Sequence, residues 1–227
     1  SSGGITTSGA GTISLTGVAT GGFNGVRIDS TAISSGSGDI SITGNSNSLS
    51  SYDGVRLHGS TSVSTTGKVT VTGTGGTAHY GVWIIDTTSI TAGGDITING
   101  QNATRNWGTS FHSTGTVQST SGNISITGAG TGGVYLRATN FVAANNQINP
   151  TSGGNITING TGASDYGLYQ EWGSLTAYGS INVQASSSGS RGSYFGGAGS
   201  NRSVGDISIT STSTSGYNWG MYVESNQ

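Results

Sequence analysis

Seven residues, "GDISITG" at Gly38–Gly44, return along the chain as "GKVTVTG", "GDITING", "GNISITG", "GNITING" and "GDISITS". Self-similarity at a fixed period is the mark of stacked repeats that bury one shared core, and it constrains the fold more than composition does. The glycines opening these strands, Gly11, Gly38, Gly67, Gly94, Gly122, Gly154, Gly179 and Gly205, are 27, 29, 27, 28, 32, 25 and 26 residues apart. Between them runs a second marker: "GVRI", "GVRL", "GVWI", "GTSF", "GVYL", "GLYQ", "GSYF" and "GMYV". These open at Gly25, Gly54, Gly81, Gly108, Gly133, Gly167, Gly192 and Gly220. A third apolar position, flanked by small polar residues, follows at Ile33, Val63, Ile90, Val117 and Leu175, and Ile5 holds that position ahead of the first full repeat.

Three short strands in about 27 residues, with no helical periodicity, predict an all-β fold: a right-handed parallel β-helix (β-solenoid) of about eight coils, three strands per coil. In each first strand alternation turns Ile40 and Ile42 inward and Ser41 and Thr43 outward, and the next coil repeats it with Val69 and Val71 against Thr70 and Thr72. A core one side chain deep needs few apolar residues, so a chain only 31% hydrophobic can still fold this way. Its 43 glycines are expected at coil corners, supplying positive φ and tight turns. Residues 1–227 form one solenoid segment. The opening "SSGGITTSGA" has no Met, basic start or apolar signal region, so the segment is expected to be part of a longer repeat protein, with further coils or another subunit covering its open edges.

Charge and residue usage narrow the functions. A formal charge of −2, from 7 basic and 9 acidic residues, gives no footprint for nucleic acid. The absence of cysteine removes disulfides and thiolate metal sites, and no apolar run is long enough to span a membrane as a helix.

The least ordinary column lies at the outward position of the second strand: Arg27, Arg56, Trp83, Ser110, Tyr135, Tyr169, Tyr194 and Tyr222. With coils about 4.8 Å apart, two cations followed by mostly aromatic rings make a stripe able to stack sugars or another protein surface, or to stabilise the solenoid itself. Arg27, Arg56, Trp83, Tyr135, Tyr169, Tyr194 and Tyr222 are the candidate binding residues. More rings precede the glycine at Tyr80, Trp107, Tyr166 and Trp219. The 21-residue interval from Gly133 to Gly154 holds the only proline, Pro150, and predicts a loop over Thr139 to Pro150 beside the stripe. A smaller loop is expected at Asn45 to Asp53.

Catalysis finds little support, since glycosidases need two carboxylates about 5 to 9.5 Å apart. Asp39, Asp95 and Asp206 follow the first glycine in non-adjacent coils, where local hydrogen bonding at a turn accounts for them. Glu171 and Glu224 share an offset two coils apart, with Gly196 between. His58, His79 and His112 fall at unequal offsets, so no metal site, cofactor or catalytic residue is predicted.

Repeats of "GDITING" and "GGNITING" alternating with "GVWI" or "GVYL", in Gly/Ser/Thr/Asn-rich surroundings, resemble the repeat regions of large bacterial exoproteins of the filamentous haemagglutinin type and, more loosely, autotransporter passengers. The resemblance covers essentially the whole chain. It implies an extracellular or bacterial cell-surface location, and a structural or adhesive shaft. Glycans, a host or cell surface, or copies of itself associated end to end or laterally are its implied partners. The alternatives are a polysaccharide-degrading or phage tail-spike β-helix and an ice-binding solenoid. The last would want flat Thr-x-Thr columns, and only Thr70/Thr72 among the outward first-strand pairs is one.

Overall fold

The computed structural model describes residues 3–47, 52–102, 104–144, 154–216 and 219–224. Among them 24 strands form three eight-stranded sheets with every adjacent pair parallel, and no helix occurs. The chain is a β-solenoid of about eight turns. Each of the first seven coils contributes in order a first strand (Ile13–Ala19 in coil 1), a second (Val26–Asp29) and a third (Ala32–Ser35), the eighth contributes a first and a second (Ile207–Ser213 and Met221–Val223), and Ile5–Thr7 pairs with the third strand of coil 1.

Register follows the alternation residue for residue. Ile13, Ile40, Val69, Ile96, Ile124, Ile156, Ile181 and Ile207 form one inward column of the first-strand sheet, and six of them are at most 1% exposed. The third-strand column runs Ile5, Ile33, Val63, Ile90, Val117, Phe141, Leu175, Asn201. Phe141 corrects the expected loop: Asn140–Ala143 is a strand, and the Phe141 ring is fully buried, edge to face with Phe111 at 4.9 Å between centroids. The extra residues of this coil therefore come after the strand; residues 145–150 of the expected loop, Pro150 included, lie outside the described residues, as do 48–51 of the smaller one.

The repeated glycines serve a different purpose from the one expected, for neither glycine series has positive φ. Left-handed backbone recurs instead along a column at the corner between second and third strands, at Ser30, Gly59, Asp86, Ala138, Trp172 and Gly197, with φ from 45° to 79°, apart from the isolated turn glycines Gly9 and Gly22. Only two of the six are glycine. Such conformations cost about 1–3 kcal/mol each in other residues, and Asp86 offsets part of this by accepting the Gly59 N–H at 3.1 Å. The glycines closing "GDISITG" and its copies are required instead by close approach. A Cβ on Gly17, Gly44, Gly73, Gly100, Gly128 or Gly160 would fall 2.0–2.1 Å from the carbonyl oxygen of the next second-series glycine.

The acids after the first glycine also differ from expectation, because their bonds run between coils. Asp39 accepts the Lys68 N–H at 2.8 Å, Asp95 that of Asn123 at 3.0 Å, Asn123 that of Asn155 at 2.9 Å and Asn155 that of Ser180 at 2.7 Å. The Asn123 N–H holds the Asp95 carboxyl below its usual range, with Lys68 adding to the effect.

One inward pair is polar. Gln170 donates to the Asn201 side-chain oxygen at 2.8 Å and accepts from its amide at 3.2 Å, so two core amides one coil apart satisfy each other. Gln170→Leu alone strands the Asn201 amide and is expected to cost about 1–3 kcal/mol, whereas Gln170→Leu with Asn201→Leu removes both amides and recovers part of that loss, the Leu175 N–H, which the Asn201 oxygen also accepts at 3.2 Å, then being left without this partner. Urea unfolding of the single and double variants checks this; a double variant no more stable than the single one contradicts the pairing.

Candidate functional site

The outward face of the second-strand sheet brings the seven candidate residues into one register column. Arg27 pairs with Arg56, Arg56 with Trp83, Trp83 with Ser110, Ser110 with Tyr135, and Tyr135 through Tyr169 and Tyr194 with Tyr222. Parallel pairing at matched offsets does this by itself, because outward residues of successive coils sit directly above one another.

Their side chains do not present flat faces to solvent. Tyr169 and Tyr194 stack at 4.4 Å with planes 14° apart, Tyr194 and Tyr222 at 5.6 Å and 27°, and Tyr135 lies 5.1 Å from Tyr169. The rings ahead of the glycines join them: Tyr80 stacks on Trp83 at 4.8 Å, Trp107 lies 5.2 Å from Tyr135, Tyr166 5.2 Å from Tyr169, and Trp219 stacks on Tyr222 at 5.0 Å. Trp107 fits because Gly132 leaves room for it; a Cβ there would fall 2.5 Å from the indole. Ring faces are thus used within the column, and solvent meets mainly edges and hydroxyls. The geometry is a ribbed ridge in which each close aromatic pair is worth about 0.5–1.5 kcal/mol beyond area burial.

The two cations behave differently. Arg56 lies over the Trp83 ring at 4.5 Å, a cation–π contact, while Arg27 turns to Asp29 at 2.7 Å. A third cation, Arg191, closes the other end: its guanidinium is 4.8 Å from the Tyr222 ring and 5.4 Å from Trp219, and it donates to the Tyr166 hydroxyl at 2.8 Å.

Ser110 is the small residue in the column, and it is fully buried. Its rung is filled by His112, from the adjacent outward position, with its ring 6.4 Å from Trp83 and 4.7 Å from Tyr135. Burial, then the nearby charge of Arg137, holds His112 below the usual histidine range, so it serves as a neutral ring. Burial first and Glu171 second push the Tyr135 phenol up to about 12, and burial also raises Tyr169 and Tyr80. The Tyr194 phenol is raised chiefly because it donates to Glu224 at 2.6 Å.

The neighbouring outward column carries most of the charge of this face, and its members are spent on one another. His58 joins three coils, with Nδ1 2.7 Å from Asp29 and Nε2 3.0 Å from Asp86. Its two nitrogens address different carboxylates, so the three groups do not converge on a point. The Arg27 guanidinium, more than His58, holds the Asp29 carboxyl below its usual range. Arg137 lies 3.7 Å from Glu171, and the register sets Gly196 between Glu171 and Glu224. His79 meets the buried Asp53 at 2.6 Å. Among the described residues no group of three or more histidine or acidic side chains is placed to hold a metal ion. A cavity of about 240 Å³ beside Gln170 and Asn201 is lined mainly by inward residues, Phe195, Ile209 and Val223 among them, with Glu224 its single acid.

Sequence reasoning found the column but missed His112 and the Asp29–His58–Asp86 bridge. For Asp29 and His58 a signal was present, since each lies two residues beyond the arginine of its coil; Asp86, reaching in from the left-handed corner, had none. Compared with known proteins, the chain matches no family model, no curated protein and no solved structure.

Proposed function

We propose that the chain is a shaft segment of a fibrous protein, secreted or displayed on a bacterial cell surface, and that its ribbed aromatic face contacts glycans, surfaces or neighbouring fibres. The observation that carries this reading is the unbroken register of the second-strand column, from Arg27 to Tyr222 along eight coils on one side of the solenoid. The spending of acids, amides and histidines on coil-to-coil bonds supports it further. A ridge repeating about every 4.8 Å suits an extended partner better than a compact one, and the uncharged outward pairs of the first strand, hydroxyls with the amides of Asn99, Asn159, Asn182 and Gln184, offer only groups that water satisfies equally well.

The test is the double variant Tyr169→Ser, Tyr194→Ser, assayed for binding to immobilised glycans and cells and for lateral association by light scattering. Binding or association is expected to fall at least fivefold with the circular dichroism of the β-solenoid retained. Unchanged binding and association, together with a lower Tm, would assign the column to the scaffold alone and end the contact half of the proposal.

A further inference from the structure

The rings of coils 4 to 8 form more than a ridge. Trp107, Tyr135, Tyr169 and Tyr194 follow one another at centroid distances of 5.2, 5.1 and 4.4 Å, so each oxidisable side chain touches the next. Both ends of the column are closed to a positive hole. Beyond Tyr194, Arg191 places a full positive charge over Tyr222 and Trp219. Toward the other end His112, an imidazole that is hard to oxidise, separates Tyr135 from Trp83, and Arg56 lies over Trp83. A cation a few ångströms from a ring disfavours removing an electron from it, since like charges repel.

Chemistry selects the resting place. A tyrosine radical cation is a very strong acid, so tyrosine gives up an electron readily near neutral pH only where its proton has somewhere to go. Among the described residues Tyr194 is the phenol in this column that donates to a carboxylate, Glu224, at 2.6 Å. Tyr135 is desolvated and lacks such an acceptor. We propose that the column from Trp107 to Tyr194 is a one-electron relay, carrying oxidising equivalents that arrive at the surface near Trp107 to Tyr194, where the phenol proton passes to Glu224. The co-reactant is a one-electron oxidant of the surroundings, such as a peroxyl or carbonate radical. It takes one electron from Trp107, and Tyr194 refills Trp107 by tunnelling across the stacked Tyr169 and Tyr135 rings, neither of which is left as a radical cation. The net change is one electron from Tyr194 to the oxidant and one proton from its hydroxyl to the Glu224 carboxylate, leaving a neutral tyrosyl radical and a carboxylic acid.

The chain has no cysteine, so Arg105→Cys supplies a single thiol two residues from Trp107 for a ruthenium polypyridyl photo-oxidant. Flash-quench oxidation of the labelled protein is followed by transient absorption and electron paramagnetic resonance. The expected result is a neutral tyrosyl radical whose yield falls at least fivefold in Tyr194→Phe, which has no phenol to oxidise, and in Tyr169→Leu, which takes out the bridging ring, and whose lifetime shortens in Glu224→Gln. Tyr194→Phe keeps a ring in the stack and Tyr169→Leu keeps an apolar side chain, so loss of signal is not loss of fold; circular dichroism confirms this. No tyrosyl radical, or an equal yield in either of the two tyrosine variants, overturns the relay.

Discussion

Replacing Phe141 by alanine is expected to lower the unfolding free energy by about 3–5 kcal/mol, the cost of deleting a fully buried aromatic ring whose surroundings relax only in part. The ring is 0% exposed, stands in the third-strand column between Val117 and Leu175, and packs edge to face on Phe111 at 4.9 Å. Phe111→Ala is expected to cost a similar amount. The two losses should not add, because the edge-to-face contact is counted in both and the first cavity is already open to the second. A solenoid is close to one-dimensional, each coil contacting only its neighbours, so a defect in coils 4 and 5 also weakens the coupling of the halves on either side. Urea unfolding of Phe141→Ala should show a lower midpoint and a broadened or two-step transition. A loss below about 1 kcal/mol would mean that Phe141 is not the core residue of coil 5.

The same residue shows what sequence could reveal and what it could not. Columns built by strict alternation of Ile and Val between opening glycines were legible without coordinates, since parallel pairing at matched offsets leaves one arrangement that buries them all. Phe141 was hidden by the 21-residue interval around it, which drew the whole stretch from Thr139 into a loop. "NFVA" nonetheless follows the pattern of "SITA" at Ser89–Ala92 and "SLTA" at Ser174–Ala177, polar, apolar, then a small inward residue at the end of the strand. The aromatic column was legible as a list of outward residues, but not the direction of their rings. Whether a ring turns its face to solvent or to the next ring depends on side-chain torsions that a spacing does not encode. His112 was illegible for a related reason: it fills the gap above Ser110 from two residues along the strand.

Glycine is where the sequence misled most, because one residue type answers two needs. A recurring glycine near a turn suggests positive φ, yet the left-handed corner is occupied mostly by Ser30, Asp86, Ala138 and Trp172. The conserved-looking spacing reports instead how near the first and second strands of a coil must come. In coils 7 and 8 that demand is relaxed, for Ala185 and Ser211 take the place of the glycine in register with Gly160.

That contrast makes the second large effect specific. Gly128→Ala is expected to destabilise the chain by about 3 kcal/mol, the upper part of the usual range for overpacking. The added methyl would lie 2.1 Å from the Gly133 carbonyl oxygen and 2.6 Å from its carbon, backbone atoms that cannot swing aside as a side chain can. Moving them means shifting the second strand of coil 5, which carries Val134 and Leu136 in the core and Tyr135 in the aromatic column. The disturbance should therefore reach the outer face, as faster hydrogen exchange at Tyr135 and its paired neighbours Ser110 and Tyr169. Ala185→Gly, the reverse change two positions along the same column in coil 7, removes a methyl the fold already accommodates and should cost no more than about 1 kcal/mol, mostly through backbone entropy. Guanidinium unfolding of both variants decides it. Equal effects at the two positions would show that the glycine column answers to turn propensity after all; a large loss at Gly128 with a small one at Ala185 identifies close approach of the backbones as the reason the glycine recurs.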